Sequence, residues 1–291
     1  MATADAFFQA TRIARLASAT IGRHRMPTDI ALLTFELLVL GTATGFIAGL
    51  LGIGGAMLMV PFVTAILTHR GYPADLIVKM AVATSLATIC FTSLSSMRAH
   101  NARGAVLWKV AAVLAPGIII GSLLGAQLGA ALPGKSLGVL FAVFVAFSAT
   151  QMFLDRKPKP TRGLPGPAGM FGAGTVIGVI SALVGAGGAF VSVPFMTWCN
   201  VKMHDAVGTS SALGFPIAIA GTLGYLWAGR TLPDMPYAFG YIYWPALAVI
   251  SVASVFMAPV GARVAHRMDI RPLRRVFAVV LYALAAYFVL R

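Results

Sequence analysis

Two pairs of adjacent hydroxyls, Thr84-Ser85 and Thr209-Ser210, each follow a glycine cluster. Gly52, Gly54 and Gly55 precede the first pair; Gly185, Gly187 and Gly188 precede the second. Neither cluster contains an ionisable side chain. These residues offer hydrogen-bond donation without fixed charge: Ser and Thr protons, and backbone N–H groups wherever the glycines interrupt a helix. A helix restarting at Gly55–Ala56 or Gly188–Ala189 would carry roughly half a positive charge at its first turn and favour an anion there. The chemistry indicated is capture of a small anion. No Ser–His–Asp set, HExxH run or supported carboxylate pair is present, so the chain reads as a non-enzyme. Cys90 and Cys199 have no metal-type spacing, and neither a metal nor a cofactor is expected.

The glycine clusters belong to a duplication. Gly45–Phe62 reads GFIAGLLGIGGAMLMVPF and Gly178–Phe195 reads GVISALVGAGGAFVSVPF. The glycine trio, the alanine after it and the closing Val-Pro-Phe recur in register. Ala81–Ser85 matches Ala206–Ser210, Gly125-Ala126 matches Gly261-Ala262, and Phe141–Val143 matches Phe277–Val279. The repeat therefore extends through each half in the same order. Three glycines within four positions cost a helix roughly 1 kcal/mol each relative to alanine. Pro61 and Pro194 loosen the segments that follow. In hydrocarbon a break is tolerated only where it faces protein or a polar cavity. The competing reading is that the glycines, including Gly45 and Gly49, serve close helix packing as small-xxx-small faces. The hydroxyls could likewise bond the preceding turn of their own helices.

Two charges stand near the candidate site. Glu36, the only glutamate of the chain, lies inside the first apolar run and is a candidate for proton coupling, or an interfacial residue. Lys79 precedes Thr84 and could add a cation to the site, or snorkel to the interface. Arg98, His100 and Arg103 read as a basic loop that sets topology.

The elements that must position these groups are membrane helices. The 291 residues are 59% hydrophobic and 10% charged, against roughly 25% charged in soluble domains. The apolar runs are continuous, which selects an all-α polytopic membrane protein over a barrel. Ten segments are expected, at about 30–51, 55–68, 76–97, 106–131, 136–154, 168–184, 188–200, 206–228, 237–262 and 273–290, giving 8–10 spans. The organisation is an N-terminal extension (1–29), transmembrane repeat 1 (30–154), a linker (155–167) and transmembrane repeat 2 (168–291). Five segments per half would turn the second repeat upside down, the inverted-repeat plan of secondary transporters. The net charge of +14 sits in the gaps between runs, which fits anchoring to an anionic leaflet rather than binding of nucleic acid.

The doubled Gly-Gly-Ala-x-x-x-Val-Pro-Phe block with its trailing Ala-Val-x-Thr-Ser resembles the sulfite exporter TauE/SafE family, also called the 4-toluene sulfonate uptake permease family. Ser96, His100, Gly104 and Trp108 within Ser93–Trp108 resemble the exit of the family's third helix. The resemblance covers about residues 30–290. It implies a multi-pass inner-membrane secondary transporter, an exporter of sulfur-containing oxyanions such as sulfite or organosulfonates. The expected partners are that anion and the lipid bilayer; homo-oligomerisation is left open. The expected substrate-binding residues are Gly52, Gly54, Gly55, Ala56, Thr84, Ser85, Gly185, Gly187, Gly188, Ala189, Thr209 and Ser210, around a mid-membrane site with alternating access. A passive anion channel, or a carrier of another small anion, is the alternative.

Overall fold

The computed structural model describes residues 27–51, 56–154, 163–265 and 271–290. Ten helices run through them: α1 (Pro27–Leu51), α2 (Ala56–His69), α3 (Ala74–Asn101), α4 (Trp108–Ala131), α5 (Gly134–Leu154), α6 (Pro167–Val184), α7 (Ala189–Trp198), α8 (Met203–Gly229), α9 (Trp244–Ala265) and α10 (Arg271–Leu290). Among the described residues, seven helices are long and apolar enough to cross a membrane: α1, α3, α4, α5, α6, α8 and α9. Each expected apolar run falls in one helix, with one correction. Residues 237–243 do not extend α9 but form a hairpin of β1 (Ala238–Phe239) and β2 (Ile242–Tyr243). Tyr237 and Gly240 adopt left-handed backbone there, with φ of 58° and 56°, which a helix cannot accommodate.

The surface is apolar where lipid would lie. Phe256, Trp227, Phe147 and Leu32 are exposed on the outside of the bundle, while Thr84, Ser85, Thr88, Ser192, Thr209 and Ser210 are buried. This is the polarity expected when the solvent is hydrocarbon and polar groups must find partners inside.

Glycine sets how closely the helices approach. α1 packs along α9, and α4 along α6; these are the most extensive contacts in the molecule. A methyl group built on Gly49 would run into the carbonyl of Ala258, and one on Gly117 into the carbonyl of Phe171. The small-residue faces therefore do serve packing at Gly45 and Gly49, where backbone meets backbone. α3 and α8 cross at the centre, and α5 pairs with α10.

The short helices end alike. Gly71 after α2 and Asn200 after α7 are left-handed, and the next residue's N–H bonds the carbonyl five positions back. At fourteen and ten residues, α2 and α7 are about 21 and 15 Å long, short of the hydrocarbon thickness of about 30 Å.

Candidate functional site

The second glycine cluster breaks the helix. α6 stops at Val184 because Gly185 turns left-handed, φ 66°, and the Ala186 N–H closes back on the Ser181 carbonyl at 2.9 Å. Only glycine takes this geometry without steric cost. Gly188 is left-handed again, φ 79°, and caps α7 at its start. The chain thus leaves one helix and enters the next within four residues, Gly185 to Gly188, all of them buried. The Gly188 carbonyl accepts from Val191 and Ser192. The N–H groups of Gly187, Gly188, Ala189 and Phe190 find no acceptor among the described residues. Gly187, Gly188 and Ala189 are buried and Phe190 is half-buried, and unaccepted N–H groups at a helix start favour an anion.

The first cluster, Gly52, Gly54 and Gly55, lies outside the described residues, as does the side chain of Ala56. Its surroundings are nevertheless on view. A methyl group on Gly185 would lie 3.1 Å from a Val60 methyl and 3.1 Å from the Val82 backbone. Val60 is one turn into α2, so the second break abuts the element that begins just after the first cluster.

The hydroxyl pairs divide into two roles. Ser85 and Ser210 meet the second broken unit. Ser85 donates to the Gly185 carbonyl at 3.1 Å, and Ser210 pairs with Ser192 of α7 at 2.8 Å. Thr84 and Thr209 instead accept backbone N–H groups. Thr84 Oγ1 takes the Tyr243 N–H and Thr209 Oγ1 takes the Leu107 N–H, each at 2.9 Å. Those two amides stand immediately before α9 and α4, so each threonine holds the start of a helix in the opposite half.

Neither candidate charge joins them. The Lys79 ammonium is engaged by Asp75 at 3.1 Å, one turn back toward the start of α3 and away from Thr84. Asp75 also accepts the Gly134 N–H at 2.6 Å and so caps α5. Glu36 is exposed on the outer face of α1, between exposed Phe35 and Leu38. His100 is not in a loop: α3 runs on to Asn101, and the buried imidazole reaches the Gly49 carbonyl of α1 at 3.3 Å through Nε2. Tyr225 makes the matching contact in the other half, donating to the Ala182 carbonyl at 3.4 Å.

Two residues not read from the sequence belong to the break. Ser181 sits in the last turn of α6, 1% exposed, and its hydroxyl has no partner. A methyl group on Gly188 would stand 3.1 Å from that oxygen. Ser192 is fully buried one turn into α7. A signal existed in the duplication: Ser181 and Ser192 occupy the places of Ala48 and Met59, so hydroxyls replace apolar groups in one copy only.

Long apolar helices, an apolar exterior and a buried helix break lined with donors define a multi-pass membrane transporter. The chain belongs to the sulfite exporter TauE/SafE family, whose family model matches residues 37–288. It is 33% identical over 256 residues to a probable membrane transporter protein of Haemophilus influenzae, covering 87% of this chain and 97% of that one. It is 24% identical over 273 residues to a probable membrane transporter protein of Methanocaldococcus jannaschii, covering 91% and 99%. A 24% match to the probable membrane transporter protein MamO of Paramagnetospirillum magneticum covers 86% of this chain but 43% of that protein. No solved structure matches the chain.

Proposed function

We propose that the protein is a secondary transporter of sulfur-containing oxyanions in the inner membrane, moving sulfite or an organosulfonate by alternating access around the glycine breaks. The observation that carries this reading is the interrupted backbone at Gly185–Gly188, where the N–H groups of Gly187, Gly188, Ala189 and Phe190 find no acceptor among the described residues, beside Ser85 and Ser210. A sulfonate or sulfite presents three acceptor oxygens to such donors, and no acidic side chain is found at the break to repel it. The family supports the substrate class, and its description names sulfite export.

A two-fold repeat supports the alternating-access part. Exchanging the first five helices with the second five maps the α1–α9 contact onto α6–α4 and returns α3–α8 and α5–α10 to themselves. The threonine caps at Tyr243 and Leu107 exchange in the same way. Two similar halves that differ slightly in packing can trade conformations, opening the site to one side and then the other. All of Gly185–Ala189 is buried in this conformation. Export of an anion needs no coupling ion where the interior is negative, since each charge gains about 2.3 kcal/mol per 100 mV.

The test is flux in proteoliposomes. Saturable sulfite uptake that is accelerated by sulfite on the far side supports a carrier. Flux that rises without saturation and shows no counterflow means a channel, and no sulfite or sulfonate flux at all overturns the substrate class.

A further inference from the structure

The two glycine breaks are alike in backbone sequence but unlike in the side chains around them. Within the duplicated block, Ser181 and Ser192 of the second copy align with Ala48 and Met59 of the first. Both serines are buried, as are their apolar counterparts. The structure brings still more hydroxyls to the same place. Ser85, from the first half, donates to Gly185, and Ser210 pairs with Ser192. A Ser–Ser pair holds two protons and uses one in the mutual bond, so one O–H remains to be donated.

Ser181 is the most telling of these. A buried serine within a helix ordinarily bonds a carbonyl of its own preceding turn. Ser181 does not, and leaving a buried hydroxyl unpaired is costly. Thr64, Ser148 and Ser251 also lack partners among the described residues, yet none of them stands in the last turn before a helix break. Ser181 lies against Gly188, one of the residues whose N–H groups find no acceptor among the described residues. The Gly187 carbonyl lies near Gly214 of α8, where a methyl group would meet it at 3.5 Å.

We infer that the transporter holds a single oxyanion at a time, seated at the second break alone, with Ser181, the Ser192–Ser210 pair and the N–H groups of Gly187–Phe190 as its donors. The first glycine cluster, flanked by Ala48 and Met59 where the second has serines, is not a second seat. The inference rests on the reading of the protein as an oxyanion transporter and adds which half binds. Three oxygens on a pyramidal sulfite or a tetrahedral sulfonate match a donor set of amides on one side and hydroxyls on the other.

The experiment titrates purified full-length protein with sulfite, methanesulfonate, phosphate and chloride by calorimetry. The variants are Ser181→Ala, Ser192→Ala and Met59→Leu, the last a volume-conserving change at the counterpart position. Each melting temperature is also recorded without added anion. Loss of a hydrogen bond to a charged ligand weakens binding about tenfold or more. The expected result is that loss in both serine variants, sulfite affinity within about twofold of wild type in Met59→Leu, and a Ser181→Ala melting temperature no lower than wild type, because an unpaired hydroxyl has been removed. Wild-type sulfite affinity in both serine variants overturns the single seat while leaving the transporter reading intact. A lowered melting temperature in Ser181→Ala overturns it too, by giving that serine a structural role. Wild-type binding of phosphate but of neither sulfur anion, weakened by Ser181→Ala, keeps the seat and rejects the sulfur substrate. No binding of any of the four rejects both.

Discussion

Thr84 Oγ1 lies 2.9 Å from the backbone nitrogen of Tyr243 and accepts its proton, although the two residues are 159 positions apart. Thr209 and Leu107 form the equivalent bond in the other half. Each threonine accepts the amide proton of the residue just before a helix of the opposite half. Replacing Thr84 with valine keeps the shape and leaves the amide orphaned. The expected cost is about 1–3 kcal/mol of stability, with Thr84→Ser close to wild type. Thermal unfolding of the purified variants in detergent reads it, and Thr209→Val should behave alike.

The α1–α9 and α4–α6 seams leave no room for a side chain at their closest points. Gly49→Ala and Gly117→Ala each drive a methyl group into a carbonyl of the facing helix, at Ala258 and Phe171. Overpacking of this kind costs about 1–3 kcal/mol or more, since backbone rather than a side-chain tip must yield. Gly172, whose added methyl meets nothing, is the control. Fluorescence-detected gel filtration after a heating series should show both seam variants lost at lower temperature, and Gly172→Ala retained.

Ser85 ties the central helix to the break by donating to the Gly185 carbonyl. Ser85→Ala removes that bond and should loosen the turn by about 1 kcal/mol. Hydrogen exchange at Ala186–Ala189 should then quicken, while α5 and α10, remote from the change, exchange as before. Unaltered exchange in the turn would show that the glycines hold it without help.

Tyr72, between α2 and α3, donates its phenol proton to the Pro236 carbonyl and so fastens the hairpin segment. Burial, and next the Tyr243 phenol, push its pKa well above the usual tyrosine range. The folded state therefore keeps a proton that the unfolded chain releases from about pH 10 upward. The stabilisation is complete below that pH and declines as pH rises through it. Tyr72→Phe should cost about 1 kcal/mol at pH 8, and the gap to wild type should narrow by pH 11. Denaturant midpoints at the two pH values measure both.

The break at Gly185–Gly188 was legible because glycine spacing is a local backbone property. Left-handed turns at Gly185 and Gly188 follow from residue type, and the anion-favouring helix start follows from them. The threonines show the opposite case. Their presence after each glycine cluster suggested donors to a ligand; the sequence did not show that their oxygens also accept amides from across the bundle. Lys79 was near Thr84 in sequence, but helix geometry gave it Asp75, one turn away, as partner. His100 looked like part of a basic loop, and burial against Gly49 made it a helix-end contact.

The amino-acid order alone determined the membrane-spanning runs, the family and the places where helices must stop, because hydropathy and backbone permissiveness act over a few neighbouring residues. Which hydroxyls face the break and which ones cap a distant helix was decided only by how α3 and α8 pack between the outer helices. Those partners are 18 to 159 positions apart. Sequence separation carries no record of such meetings, and only the packing of the assembled bundle creates them.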